Sequence, residues 1–181
     1  MRALARRTAG RGERLLAPWS AVFLLLVSVA ALVGCDPLPQ YERLGVSLDP
    51  DGSVLIHYVA CESEEVAEVR LVHIHEDTTN QGDDEVLWQI ESSSGTQGGT
   101  FRVGRVPEGF TETVPFPGTY PTDSLLAAVD FAAEGAVGPG VVFSIADLTT
   151  EEIWTTGSGD NEGLSPQAFE ARARATCRTD A

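Results

Sequence analysis

Short apolar runs separated by turn residues occupy most of the chain after residue 43, and this pattern predicts β-strands. Asp49-Pro50-Asp51-Gly52 places Pro and Gly where a tight turn needs them, so the two flanking strands form a hairpin. The second of these strands is apolar on both faces, which is typical of a strand inside a sheet. The eight predicted strands are 44–48, 53–60, 66–75, 85–91, 100–103, 110–114, 125–131 and 141–145.

The connections between these strands show no long helical period, which favours an antiparallel arrangement over a parallel sheet. We therefore predict a mainly β fold over residues 43–181, an antiparallel β-sandwich that is immunoglobulin-like in architecture. Trp88 is the best candidate for an aromatic residue in its core. The glycine-rich stretches Ser92–Gly99 and Gly157–Gly163 are predicted to be flexible loops.

One segment near the C-terminus has the period of an α-helix, over residues 165–177. Ser165 suits the N-cap and Pro166 suits the first helical position. The positions expected to face the core recur at i, i+4, i+7 and i+8, and they are Phe169, Ala173, Thr176 and Cys177.

The first 35 residues have the layout of a secretory signal, in which arginines precede the uncharged run 21–33. The run is short for a membrane span. It ends in Leu32-Val33-Gly34-Cys35, which resembles a bacterial lipobox, a motif whose cysteine thiol receives a diacylglyceryl group. We predict a signal peptide over 1–34, lipid attachment at Cys35 and a tether over 35–42, with an uncleaved signal anchor as the alternative. Both place the rest of the chain outside the cell, on the extracytoplasmic face of the membrane.

The charge of the chain changes sign at Cys35. Five of the 12 basic residues but only one of the 27 acidic residues precede it, so the portion from Cys35 onward carries a formal charge of −19. Such a surface repels phosphate backbones, and nucleic acid is excluded as a partner. All of the basic residues are arginines, so a mechanism built on a lysine Schiff base is excluded as well.

Two cysteines remain once Cys35 is assigned to the lipid. A disulfide between Cys61 and Cys177 is the natural pairing in a compartment that permits such bonds. It would fasten the C-terminal helix to the end of the strand that leads to Cys61. Two buried free thiols are the alternative.

The strongest candidate for metal binding begins at His73 and His75, whose imidazoles lie on one face of a predicted strand. Imidazoles suit zinc or copper, whereas the oxygen ligands that follow suit a hard cation such as calcium. A solvated acidic loop with two exposed histidines is the competing interpretation, and we predict no metal or other cofactor. His57 is expected to be packed and hydrogen-bonded. The residues with oxygen ligands are Glu76, Asp77, Asn80, Asp83, Asp84 and Glu85.

Motifs of nucleophilic catalysis are missing from the sequence. No G-x-S-x-G elbow occurs, and Ser92, Ser93, Ser94 and Ser158 fall in the stretches predicted to be loops. We therefore assign no catalytic residue and expect a protein that is not an enzyme.

The lipobox, the segment Pro37–Ser47, the Trp88 strand and the helix from Ser165 to Cys177 together resemble small actinobacterial lipoproteins of uncharacterised function. The resemblance implies an envelope location and no particular activity. Our first hypothesis is a non-enzymatic lipoprotein that is anchored to the membrane through Cys35 and binds an extracytoplasmic protein or glycan. A cation-binding lipoprotein that uses His73, His75 and the acidic segment to Glu85 is the second hypothesis. A hydrolase without a recognisable motif is the third.

Overall fold

The computed structural model describes residues 42–62, 64–75, 84–132, 138–156 and 160–177, all within the compact unit Leu38–Ala181. These residues form ten β-strands, a short 3-10 turn at Ile145–Asp147 and one α-helix, α1, at Pro166–Thr176. The strands are β1 (Leu44–Leu48), β2 (Val54–Tyr58), β3 (Val66–His73), β4 (Glu85–Thr96), β5 (Gly99–Arg102), β6 (Thr111–Val114), β7 (Leu125–Phe131), β8 (Gly140–Phe143), β9 (Ile153–Thr156) and β10 (Asn161–Leu164).

The strands form two antiparallel sheets that share one core, which confirms the predicted β-sandwich. Sheet A has the order β10-β9-β1-β2-β5, and sheet B has the order β6-β4-β3-β7-β8. In each sheet two hairpins lie side by side and a single strand, β5 or β6, adds to the edge. The pairing of β2 with β5 and the order β8-β7-β3-β4-β6 match the B–E and G-F-C-C′-C″ neighbours of an immunoglobulin variable-type sandwich. The chain departs from that pattern because β5 precedes β6 and because β9 and β10 extend sheet A beyond β1.

The core consists of the apolar side chains that alternate inward from both sheets. On β2, Val54, Ile56 and Tyr58 are buried in it, and the neighbouring strands β1 and β5 confirm that β2 is an interior strand. Trp88 is fully buried, as predicted, and its indole Nε1 donates a hydrogen bond to Glu112 Oε1 at 3.1 Å. That bond satisfies the one polar group that a buried tryptophan carries.

Two predicted loops are wrong in part, because cross-strand pairing extends strands into them. Strand β4 continues through Ser92 to Thr96, where Thr96 pairs with Val66 of β3. Residues 161–163 belong to β10, which pairs with β9 as a hairpin. Serine and glycine have low intrinsic β propensity, but a neighbouring strand that supplies ladder hydrogen bonds overrides it. Strand β3, in contrast, is shorter than predicted, because it ends at His73, two residues before the predicted end.

The helix α1 lies on the outer face of sheet A and begins as predicted. Ser165 Oγ accepts a hydrogen bond from the Ala168 N–H at 3.3 Å, and Pro166 is the first helical residue. The buried Phe169 lies over Gly45, where an added Cβ would come within 3.1 Å of the Phe169 ring and would clash with Ile153 Cγ2. Glycine at this position therefore lets the helix approach the sheet.

The C-terminal end of α1 is held by a disulfide between Cys61 and Cys177, the predicted pairing. An ion pair lies beside this disulfide. The buried Arg43 guanidinium binds the Glu64 carboxylate through two hydrogen bonds, and Nη1 of Arg43 lies 2.8 Å from Cys61 Sγ. Glu64 also accepts hydrogen bonds from the Cys61 N–H and the Tyr58 hydroxyl. Burial alone would raise the pKa of Glu64, but these three donors outweigh it and lower the pKa below its ordinary value.

Replacing Cys61 and Cys177 together by serine is expected to lower the free energy of unfolding by about 2 to 4 kcal/mol. The cysteines are 116 residues apart, so their bond removes a large loop-closure entropy from the unfolded chain. Urea unfolding followed by circular dichroism measures the change. The unmutated protein should lose a similar amount when a reductant is added, whereas the double variant should not respond to it. Equal stability of the two proteins without reductant would contradict this role.

Candidate metal centre

Three strands bring together the residues of the candidate metal centre at one end of the sandwich. His73 is the last residue of β3, and it pairs with Glu85 at the start of β4 on one side and with Leu125 of β7 on the other. Leu125 is fully buried in the core, and paired residues share a face of a sheet. His73 therefore lies where the core of the sandwich gives way to solvent.

The two histidines lie close together, as the alternation of side chains predicted. The ring centroids of His73 and His75 are 4.1 Å apart. One ligand atom from each of His73, His75 and Glu85 lies within 4.8 Å of the other two. Around a single zinc ion such atoms stand about 3.3 Å apart, so small side-chain rotations close the site. His73 is buried, His75 is half-buried and Glu85 is exposed, which gives the exposed carboxylate the freedom to move.

Asp123 adds a second carboxylate that sequence reasoning missed. Its Oδ2 lies 3.4 Å from Nε2 of His73, at the long end of hydrogen-bond distances. A carboxylate that accepts a hydrogen bond from a ligating imidazole fixes the ring tautomer and orientation. The two residues are 50 positions apart, and only the antiparallel pairing of β3 with β7 brings them together. The sequence carries no local signal for this contact.

The ligand set favours zinc or copper over calcium. Calcium takes oxygen ligands, whereas two of the three clustered groups are imidazoles. Of the six oxygen-ligand residues that we considered for a hard cation, Glu85 belongs to the cluster, and Asp84 is exposed just before β4. The other four, Glu76, Asp77, Asn80 and Asp83, lie outside the described residues.

His57 is packed and hydrogen-bonded on the outer face of sheet A, as predicted. Its Nε2 lies 2.8 Å from Ser47 Oγ, and its Nδ1 lies 3.0 Å from Thr100 Oγ1. Burial lowers the pKa of His57 to about 4, so the ring is neutral at physiological pH. His57 therefore belongs to a different surface from His73 and His75.

Three of the serines that we predicted to lie in loops lie in a strand. Ser92, Ser93 and Ser94 all belong to β4, so the loop assignment is wrong for them, and Ser158 lies outside the described residues. Ser92 is buried, and its hydroxyl has no hydrogen-bond partner in the part of the chain that the structure describes. A hydroxyl inside a regular strand lacks the sharp turn on which a serine nucleophile is presented.

The predictions for the N-terminal segment concern residues that precede the first strand. The signal peptide over 1–34, the lipid attachment at Cys35 and nearly all of the tether over 35–42 lie outside the described residues. Within the described ranges, no helix combines the length and the apolar character needed to cross a bilayer.

Comparison of the chain with protein-family models, curated proteins and solved structures gave no match.

The pKa of His57 predicts a pH dependence of stability. The ordinary pKa of histidine is near 6.5, so between about pH 6.5 and pH 4 the unfolded state binds the proton that the folded state excludes. The free energy of unfolding should therefore fall by roughly 2 to 3 kcal/mol as the pH drops through this window.

Urea unfolding at several pH values, with EDTA present, measures this contribution against a His57→Gln variant. Glutamine keeps one donor and one acceptor but does not titrate, so the variant should lose that part of the pH dependence. The same pH dependence in both proteins would show that His57 is not the group responsible.

Proposed function

We propose that this chain is a lipid-anchored extracytoplasmic protein that binds a zinc or copper ion through His73, His75 and Glu85. The observation that carries the proposal is the convergence of two imidazoles and one carboxylate, with ligand atoms within 4.8 Å of one another. Two histidines and a carboxylate form a common ligand set for zinc, which leaves one position for water or another ligand. This proposal differs from our sequence prediction of no metal, because the cross-strand pairing of His73 with Glu85 brings a carboxylate to the two imidazoles.

The surroundings of the cluster support a tightly held ion. His73 is buried at the end of β3, so its ring has little freedom to lose when a metal binds. Asp123 can accept a hydrogen bond from the imidazole and make it a better ligand. The formal charge of −19 after Cys35 also concentrates cations near the surface.

The location outside the cell rests on the sequence. Leu32-Val33-Gly34-Cys35 resembles a lipobox, and the first strand begins at Leu44, nine residues after the cysteine. An extended tether of that length reaches roughly 30 Å, so the start of the sandwich stays close to the membrane surface. The hypotheses of a protein- or glycan-binding module and of a hydrolase stay predictions.

Zinc and copper are expected to raise the melting temperature of the metal-free protein by several degrees, whereas calcium has little effect. Isothermal titration should show one equivalent of zinc bound. His73→Ala or His75→Ala should weaken zinc binding by more than about 100-fold, and Asp123→Asn by about 10-fold to 100-fold.

A second glutamate on β4 provides a matched control for the substitution of Glu85. Glu85→Gln should weaken zinc binding, whereas Glu91→Gln removes an exposed carboxylate of β4 outside the cluster and should leave affinity unchanged. An equal effect of the two variants would remove Glu85 from the ligand set. Unchanged zinc affinity in both histidine variants would refute the site as a whole.

Replacing Cys35 by serine is expected to prevent lipidation and to release the protein from the membrane fraction. Mass spectrometry should find the lipid on Cys35 in the unmutated protein and not in the variant. The variant that lacks Cys61 and Cys177 is the control, and it should remain attached. Continued membrane attachment of the Cys35→Ser variant would favour the uncleaved signal anchor.

A further inference from the structure

A cleft of about 530 Å³ lies on the outer face of sheet A, whereas the strands of the metal centre belong to sheet B. The helix α1 covers one side of that face, where Phe169 packs over Gly45. Beside the helix, the side chains of Leu55 and Val59 are only half-buried and form the floor of the cleft. The volume lies within the range of roughly 300 to 1,000 Å³ that is usual for sites of small organic ligands.

Three hydrogen-bonded side chains, Ser47, His57 and Thr100, cross the floor of the cleft. Ser47 Oγ lies 2.8 Å from Nε2 of His57, and Thr100 Oγ1 lies 3.0 Å from Nδ1 of the same ring. Burial lowers the pKa of His57, so the ring is neutral and has one N–H donor and one nitrogen acceptor. One hydroxyl group therefore donates to the ring, and the other accepts from it.

Burial decides which hydroxyl group donates to His57. Ser47 is only 6% exposed and has no other hydrogen-bond partner among the described residues, so its O–H is satisfied by donating to Nε2. The ring proton is then on Nδ1, which donates to Thr100 Oγ1. Thr100 is exposed in the cleft, and its own O–H has no acceptor within the part of the chain that the structure describes. The floor thus presents one hydroxyl donor next to apolar side chains.

Two of the carboxylates around the cleft lie beside arginines. Asp49 pairs with Arg102 at 2.7 Å, and Arg102 also binds Asp51, which lies outside the cleft. Glu170 pairs with Arg174 one turn further along α1. The guanidinium groups offset the charge that these carboxylates present to a ligand.

The other two carboxylates around the cleft, Glu151 and Glu152, contribute little charge to its floor. The carboxylate of Glu152 lies against Gly163, which pairs with Trp154 on the core side of sheet A. Glu151 is exposed, so water and salt screen its charge. A charged ligand on the floor would lose its hydration and find no opposite charge beside it, whereas an uncharged ligand avoids this cost.

We infer that this cleft binds a small uncharged organic molecule with an apolar body and an oxygen atom that accepts a hydrogen bond from Thr100. The apolar body packs on Leu55 and Val59, and the oxygen atom completes the hydrogen bonding of the Thr100 hydroxyl. An anionic ligand is disfavoured further by the formal charge of −19 after Cys35. The inference concerns a different surface from the metal centre and does not depend on metal binding.

Four probes of similar size, acetophenone, ethylbenzene, benzylamine and benzoate, test the chemical class of ligand on the purified full chain. In ligand-observed NMR titrations, acetophenone and ethylbenzene should bind. Benzylamine, a cation, and benzoate, an anion, should bind at least about tenfold more weakly than acetophenone. A charged probe that binds as tightly as acetophenone would overturn an uncharged ligand, and no binding of acetophenone would overturn the inference as a whole.

Replacing Thr100 by valine removes the hydroxyl group and keeps the shape of the side chain. The variant should bind acetophenone about threefold to tenfold more weakly, whereas its affinity for ethylbenzene, which has no acceptor, should not change. Thr111→Val makes the same substitution at an exposed position of β6 outside the cleft, and it should alter neither affinity. An equal loss of affinity for both probes in Thr100→Val would show that the hydroxyl group is not the donor.

The position of the ring proton of His57 is a separate test of the donor. The nitrogen chemical shifts of the neutral ring should place the proton on Nδ1. A proton on Nε2 would leave Ser47 instead of Thr100 with the available O–H, and this result would overturn the assignment of Thr100 as the donor.

A bulky substitution tests the floor of the cleft. Leu55→Trp places a large side chain there and should abolish the binding of both acetophenone and ethylbenzene, with an unchanged circular dichroism spectrum as the check on folding. Binding that survives this change in a folded variant would contradict the floor as the site.

Discussion

The junction at Cys61 is the constraint on which the position of α1 on sheet A depends. There the disulfide to Cys177 holds the end of α1, and the buried Arg43 binds Glu64 beside the same sulfur atom. Removing one partner of a buried ion pair leaves an uncompensated charge, so Arg43 and Glu64 depend on each other. The junction fixes one end of α1, and the space that Gly45 leaves for Phe169 fixes the other. The height of the helix above the sheet, and with it the shape of the cleft, follows from these two contacts.

The candidate metal centre and the cleft on the outer face of sheet A arise from different features of the sandwich. The candidate metal centre forms where strands end, because His73 and Glu85 are the last pair of β3 and β4, His73 buried and Glu85 exposed. The cleft forms where a single helix is too short to cover the outer face of a sheet.

Periodicity predicted the elements whose partners are close in the sequence. The β1–β2 hairpin, the interior position of β2 and the cap of α1 at Ser165 all follow from local residue types. The same local rules failed for Ser92–Thr96 and Asn161–Leu164, which are strands because β3 and β9 lie beside them. Propensity describes the residue alone, whereas a sheet stabilises a residue through its neighbours. Asp123 was missed for the same reason, since its distance to His73 depends on the register of β7 against β3.

Residue chemistry and local pattern were sufficient for the class of fold, the acidic surface, the pairing of Cys61 with Cys177 and the common face of His73 and His75. These properties depend on composition, on short-range geometry or on a choice between very few cysteines. The convergence of Glu85 with the two histidines, the carboxylate of Asp123 beside His73 and the cleft beside α1 appeared only in the folded chain. Each of them depends on which strands are neighbours and in what register. Strand order is set by the packing of the whole core, and no segment of the sequence contains that information by itself.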